Sequence, residues 1–288
     1  MRGMNMEVLA VDVGGTKIRS GIINESGEIL YDETVKTTYP LYETIEQVVL
    51  KIIKKYPAVQ AIGIGTTGFV NAKEGKIVYS PLPGWKGTEV KKKLEEKTNL
   101  RVEVENDANC AALAEAKLGA AKGYDRILCL TIGTGLGGGI IIDGNILNSP
   151  MGGAGEIGHM ILYPNGHVCL CGRKGCFEQY VSGTALKRKI SEAGLTISPK
   201  ELFKMGEDET ASQIIESFLD DLAVIISSLQ AAFDMDIVVI GGGVSESLTD
   251  WTDTLIEKTK PLLLREIEIK LATYRNDAGI LGASQLVL

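Results

Sequence analysis

Apolar residues open the chain in short runs. Glu7–Val13 and Ile18–Asn24 read as strands, Glu25–Ser26–Gly27 as a turn, and Ile29–Thr37 as a third strand. The spacing then changes: within Tyr42–Lys55, Ile45, Val48, Val49, Ile52 and Ile53 fall on one face, which predicts an amphipathic helix. Ala61–Gly65 has the character of a short buried strand, and the Pro/Gly stretch SPLPGWKG at 80–87 predicts a loop. Thr88–Thr98 reads as a helix and Arg101–Glu105 as a strand. Asn106 or Asp107 then caps an alanine-rich helix that ends near Gly119.

Past Gly119–Gly123 the pattern restarts. Arg126–Ile132 reads as a strand, Gly133–Gly139 as a glycine turn and Ile140–Asp143 as another strand. Without gaps, at an offset of 119, AVDVGGTKIRSGII (10–23) faces CLTIGTGLGGGIII (129–142). Few identities occur, but the order of apolar strand, Gly/Thr turn and apolar strand repeats. Two unrelated hairpins account for this; so does a duplicated lobe in which each half aims a turn at a shared ligand. The remainder alternates: helices over Ser182–Ala193 and Ala211–Phe233, a strand over Asp236–Ile240, and Gly241–Gly243. A helix follows from about Ser247, then a strand near Ile267–Leu271 and a last helix from Asn276 or Asp277. The lobes are therefore expected at 1–119, completed by the C-terminal helix 276–288, and at 120–275.

Composition bounds the function classes. The chain is 44% hydrophobic and 23% charged, with 34 Gly and only 8 Pro, enough apolar material for sizeable cores and unlike a disordered or collagen-like chain. A net charge of −7 argues against a nucleic-acid partner, because phosphate backbones call for a basic surface. No apolar run reaches the length of a membrane span, and MRGMNMEVLAVDVGG lacks the core of a secretory leader. A cytoplasmic protein is expected. Its cysteines, Cys110, Cys129, Cys169, Cys171 and Cys176, are odd in number, and the last three cluster. That pattern predicts a metal site rather than a disulfide framework.

Three glycine-rich turns each follow a strand: Asp12–Lys17 with Gly14, Gly15 and Thr16, Gly133–Gly139 with Thr134 and Gly135, and Gly241–Ser245 with Gly242 and Gly243. Glycine lets backbone N–H groups approach phosphate oxygens, and Thr or Ser hydroxyls add donors. None completes a P-loop, and the first turn leads into another strand rather than a helix, which argues against a Rossmann fold. Together they point to a nucleotide site. Asp12 suits Mg²⁺, which takes a few carboxylates plus phosphate oxygens, and Lys17 suits a phosphate as a point charge.

Cys169-Leu-Cys-Gly-Arg-Lys-Gly-Cys176 is the most specific local signal. One imidazole would complete a tetrahedral Cys₃His zinc site. His159 and His167 are the two histidines of the chain; His167 lies two residues before Cys169 and has little room to fold back, whereas His159 has ten. Such a set leaves no position open for water, so the metal is expected to be structural. The competing reading is three buried thiols with His167 in solvent. Asn106-Asp107 is a good helix cap, but at a strand end Asp107 can also reach a substrate. Glu156 and Glu178 bracket the cysteine knuckle.

In this order, Asp-Val-Gly-Gly-Thr-Lys, Glu-Asn-Asp-Ala-Asn, Thr-Ile-Gly-Thr-Gly-Leu-Gly-Gly-Gly, Gly-Glu-Ile-Gly-His, Cys-x-Cys-Gly-x-x-Gly-Cys-x-Glu and Ile-Gly-Gly-Gly-Val resemble the ROK family of repressors, open reading frames and sugar kinases. The likeness runs from about Val8 to the Asp-Ala-Gly-Ile-Leu-Gly-Ala stretch at 277–283. It implies an α/β, actin-like (hexokinase-type) fold of two lobes closing over a sugar and ATP. It also implies that Asp107 is the base for the sugar hydroxyl, with Asn106 beside it. Glu156, His159 and Glu178 would bind ring hydroxyls, with His159 bonding zinc through its other nitrogen. Gly68 falls where family members touch the sugar, although Thr66-Thr-Gly-Phe-Val70 departs from the Pro-Gly-Pro-Val form of many relatives. Leu82-Pro-Gly-Trp85 resembles the glucokinase branch; other stretches are similar to N-acetylmannosamine kinases. An ATP-dependent hexose kinase with Mg²⁺ and structural zinc, working as a homo-oligomer, is thus expected. The other class the family contains, a sugar-responsive regulator, needs a helix-turn-helix ahead of about Glu7, where the sequence leaves about six residues.

Overall fold

The computed structural model describes residues 6–288, so the reading of the first five residues as part of a leader-free start lies outside them. Two compact units emerge. The first comprises the chain up to Leu118, Ile146–Gly155 and Asp277–Leu288. The second comprises Gly119–Asn145 and Glu156–Asn276. The sequence placed 146–155 with the second half; the structure packs it with the first, where Gly152 lies against the backbone of Phe69 and Val70.

The first unit contains β1 (Glu7–Val13), β2 (Lys17–Asn24), β3 (Ile29–Lys36), α1 (Leu41–Lys55), β4 (Ala61–Thr66), β5 (Phe69–Asn71), β6 (Lys76–Tyr79), α2 (Val90–Thr98), β7 (Arg101–Asn106), α3 (Asp107–Lys117) and the C-terminal helix Ala278–Gln285. Its main sheet has the order β3-β2-β1-β4-β7. The β1–β2–β3 meander is antiparallel, and β1, β4 and β7 run parallel. The apolar run of β1 is buried on both faces, as a central parallel strand requires, whereas β3 alternates half-buried and exposed positions at the edge. α1 lays Ile45, Val49 and Ile52 on the sheet. Trp85 is fully buried and its indole N–H donates to Thr66 Oγ at 3.0 Å, which satisfies the one polar atom such a side chain brings into a core.

The second unit holds β8 (Arg126–Ile132), β9 (Leu136–Ile142), β10 (Asn145–Ile146, whose second residue belongs to the first unit), α4 (Gly183–Glu192), α5 (Pro199–Leu202), α6 (Glu209–Phe233), β11 (Ile237–Gly241), α7 (Thr252–Thr259) and β12 (Glu268–Leu271). The C-terminal helix of the first unit is then α8. The sheet order is β10-β9-β8-β11-β12, again an antiparallel pair at the start and parallel strands after it. The two sheets share one plan, so the repeat in the sequence is a repeat of topology. An antiparallel β2 or β9 next to the first strand is also incompatible with a Rossmann sheet.

Several boundaries differ from the pattern reading. Glycines 137–139 are not turn: they lie in β9 opposite Thr131, Leu130 and Cys129, because a ladder is made by backbone groups and glycine supplies these as well as any residue. The turn itself is 133–135, and β9 ends at an Asp143-Gly144 corner with both φ values positive, the geometry of a tight hairpin. The gapless offset of 119 also slips. Val13 pairs with Ile18 across four turn residues, but Ile132 pairs with Leu136 across three, so after the turn the offset is 118. β5 and β6 were not anticipated. The helix expected from about Ser247 begins as a 3₁₀ turn, Ser245–Trp251, before α7.

Candidate active site and metal centre

In the first unit the parallel ladder sets Val13, Thr66 and Asn106 side by side at the carboxyl ends of β1, β4 and β7. Asp12, Gly14–Lys17, Thr67, Gly68, Asn106 and Asp107 therefore gather at one end of the sheet, where ligands bind in open α/β sheets. Asn106 is the N-cap of α3: its Oδ1 accepts from the N–H groups of Ala108 (2.8 Å) and Asn109 (3.2 Å). Its amide donates to the Gly68 carbonyl at 3.0 Å. Gly68 has φ +120°, and a Cβ there would sit 2.3 Å from the Tyr79 carbonyl, so no other residue fits. Asp107 is the first residue of α3 and half-buried. Its Oδ1 accepts from Ala108 N–H at 2.9 Å and its Oδ2 from the Thr67 hydroxyl at 3.0 Å.

Beneath this pair lies a carboxylate that sequence reasoning passed over. Glu105 is 2% exposed and its Oε1 accepts from Asn106 N–H (2.8 Å) and Asn109 Nδ2 (3.0 Å). Burial pushes its carboxyl up, against the hydrogen bonds from Asn106, Asn109 and Asn148. Thr67 was missed as well; its partner is 40 residues away, and a lone threonine carries no local signal of that. Asp12 is pushed up to about 6, first by burial and then by the charge of Asp107, with Lys17 and Arg19 pulling the other way. A carboxylate held out of water beside another carboxylate is what a divalent cation relieves, and oxygen donors suit Mg²⁺, so Asp12 fits the expected ion.

The first glycine turn is closed by Gly14 N–H to the Lys17 carbonyl at 3.0 Å, and Thr37 bonds both sides of it. Thr16 and Lys17 are exposed. In the second unit, Gly133 N–H closes the matching turn on the Gly135 carbonyl at 3.0 Å. A Cβ at Gly133 would meet nothing within 4 Å, so the space above this turn is open. The Gly133 and Thr134 carbonyls instead cap the start of α4 by accepting from Gly183 and Thr184. At the end of β11, Gly242 takes φ +85° against the Ile132 carbonyl, and Gly243 is exposed.

The cysteine knuckle is a tight turn: Cys169 N–H bonds the Arg173 carbonyl and Gly172 N–H bonds the Cys169 carbonyl. Ligand atoms of His159, Cys169, Cys171 and Cys176 all lie within 4.8 Å of one another. Cys169 Sγ is 3.7 Å from His159 Nδ1, and Cys171 Sγ is 3.6 Å from Cys176 Sγ. Ligands about 2.0–2.3 Å from a tetrahedral Zn²⁺ stand roughly 3.5–3.8 Å apart, so this set fits zinc. Burial, then the neighbouring thiols, push Cys176 up to about 12. Cys171 goes the other way: burial opposes the shift, but the Arg173 backbone N–H and the adjacent thiols lower it. His167 stands apart, exposed, with its ring 5.5 Å from that of Tyr180.

His159 turns its other nitrogen toward Glu156, Nε2 to Oε2 being 3.9 Å. Glu178 follows the knuckle, with Oε1 4.0 Å from Cys169 Sγ and Oε2 accepting from Leu136 N–H at 3.2 Å. The structure thus joins two groups the sequence kept separate. Gly135, assigned to the phosphate turn, lies so close to Glu178 that a Cβ would sit 2.2 Å from its carboxylate.

Against known proteins, the sequence pattern of the ROK family matches residues 8–288. The chain belongs to the ROK family. Among ROK-family relatives, a glucokinase of Halalkalibacterium halodurans is 34% identical, with 97% of this chain and 94% of the relative covered. An N-acetyl-D-glucosamine kinase of Haemophilus influenzae is 33% identical, over 96% of this chain and 98% of the relative. A ROK-family glucokinase from Streptomyces griseus, solved in complex with glucose and AMPPNP, superposes with a TM-score of 0.79 at 31% identity, covering 97% of this chain and 98% of that one. The fold is that of the ROK sugar kinases.

Proposed function

We propose that this chain is an ATP-dependent hexose kinase that transfers the γ-phosphoryl group to the 6-hydroxyl of a hexose, glucose before others. Asp107 carries the reading. It is a half-buried carboxylate at the carboxyl end of a central parallel strand, with one donor on each oxygen, in a chain whose full-length relatives include enzymes named glucokinase. Each Asp107 oxygen keeps a lone pair for a proton, so the side chain accepts the hydroxyl proton as the sugar oxygen attacks phosphorus. The Asn106 amide, the backbone at Gly68, and Glu156, His159 and Glu178 hold the ring hydroxyls. Gly14, Gly15, Thr16 and Lys17, together with Gly133, Thr134 and Gly135, present donors to the phosphates, and Gly241–Gly243 accommodate the adenosine. In this division sugar and phosphate motifs fall to 1–119 with 276–288, and a second phosphate motif, the zinc knuckle and the adenosine motif to 120–275.

Mg²⁺ held through Asp12 would supply charge neutralisation at the phosphates. Zinc held by His159, Cys169, Cys171 and Cys176 would be structural, fixing the orientation of His159 and Glu178. An N-acetylhexosamine kinase is the second reading, favoured by the Haemophilus relative; N-acetylmannosamine belongs to the same class. Coupled ADP release across glucose, N-acetylmannosamine, fructose, mannose and N-acetylglucosamine tests both. The highest kcat/KM on an N-acetylhexosamine replaces the first reading with the second, and no turnover on any hexose rejects both. The reading places the enzyme in the cytoplasm, as a homodimer or higher homo-oligomer that sedimentation would detect. Among the described residues no helix is long and apolar enough to cross a membrane.

A further inference from the structure

The segment 66–68 is held by a hydrogen bond at each of its three residues. Thr66 Oγ accepts the indole N–H of buried Trp85 at 3.0 Å. The Thr67 carbonyl accepts from Ser80 Oγ at 2.8 Å, and the Gly68 carbonyl accepts from the Asn106 amide at 3.0 Å. Gly68 is locked at φ +120° between Tyr79 and Ser80. With the backbone fixed at these points, the Thr67 hydroxyl meets Asp107 Oδ2 at 3.0 Å. A carboxylate can only accept, so the hydroxyl spends its single proton on Asp107.

We propose that Thr67 is a positioning residue for the phosphoryl-transfer step: its hydroxyl, aimed by the Trp85, Ser80 and Asn106 clamps, holds the Asp107 carboxylate in the orientation that receives the sugar proton. This rests on the reading of Asp107 as the base. Ala108 N–H fixes Oδ1 from within the helix, but a carboxylate bonded at one oxygen still swings about its Cα–Cβ and Cβ–Cγ bonds. The second donor removes that freedom. Misplacement of a catalytic group by a fraction of an ångström costs rate rather than binding, so the loss belongs in kcat.

The test uses four variants of the full chain with ATP and glucose, or with whichever hexose turns over best: Thr67→Val, Thr67→Ser, Asp107→Asn and the Thr67→Val/Asp107→Asn double variant, each with a thermal melt. Valine keeps the shape of threonine and removes the donor. Thr67→Val is expected to lower kcat on the order of tenfold, the scale of one hydrogen bond to a charged group, with KM for both substrates within twofold. Thr67→Ser, which keeps the hydroxyl, should recover most of that loss even if its melt is lower. In the Asp107→Asn background, Thr67→Val should cost less than twofold more. Unchanged kcat in Thr67→Val overturns the proposal. So does a raised KM at constant kcat, which would make Thr67 a sugar ligand, and so does an equal effect in both backgrounds. The base reading fails separately, on Asp107→Asn alone, if that variant retains turnover within threefold, and the proposal then falls with it.

Discussion

Asp107 and Asn106 share one turn of helix yet divide its work. Because Asn106 is the cap and bonds two N–H groups by itself, Asp107→Asn leaves that cap intact. Turnover of that variant is expected to fall on the order of 10²–10⁴-fold, the scale of losing one acid–base group, with hexose and ATP still bound and the melt nearly unchanged. Steady-state kinetics beside calorimetry checks this, and turnover within threefold of the parent removes Asp107 from the mechanism. Asp12 gives a second prediction. Its carboxyl stands at about 6 in the folded chain against 3.8 ordinarily, so the folded state binds this proton more tightly than the unfolded one. The stabilisation is therefore full below about pH 4 and is lost as pH rises through 6, amounting to about 2 kcal/mol for a partly buried group. In metal-free protein, Asp12→Asn should abolish this part of the pH dependence and be the more stable form at pH 7. Parallel urea titrations at pH 4 and pH 7 that give the same difference between variant and parent would contradict this.

At the scale of elements, the glycine turns separate two kinds of requirement. Gly133 has open space above it, so Gly133→Val should fold normally and weaken ATP binding while sparing the hexose. Calorimetric titration with each ligand reads this out, and unchanged ATP affinity counts against a phosphate role for the turn. Gly135→Ala is different. Its methyl would displace the Glu178 carboxylate, so the affinity for hexose should fall along with that for ATP. Sequence patterning placed these elements well where apolar runs were continuous, as in β1 and β8, or regularly spaced, as in α1, and it located all three turns. It misread Gly137–Gly139, because a strand built on backbone bonds leaves no trace in side chains. It also missed the β5–β6 hairpin, whose strands of three and four residues are too short to show a period. Thr67 and Glu105 were illegible for a further reason. Their meaning lies in partners brought together by the sheet, and spacing along the chain says nothing of it.

For the molecule as a whole, the proposed roles of the cysteine knuckle lead to a coupling of stability to ligand as an expected outcome. One zinc per chain is expected by elemental analysis, and Cys176→Ser should lose it. Stripping the metal with a chelator should lower the melting temperature and weaken hexose binding together, because His159 and Glu178 hang on the same knuckle. Loss of stability with unchanged hexose affinity would confine the metal to folding alone.

The first unit is assembled from both ends of the chain, and this bears on how the protein is made. Gly279 in α8 lies so close to Asp12 that a Cβ there would come 2.7 Å from its carboxylate, and Gly282 rests on the Cys110 backbone. On a ribosome, β1 emerges about 260 residues ahead of α8 and must wait for it. At about 5–20 residues per second that delay is tens of seconds. The second unit, nearly continuous in sequence, has all its strands in hand earlier. The half that is synthesised first is therefore finished last. During that interval the faces of β4 and α3 that α8 will cover have only a nascent chain, or a chaperone, to shield them.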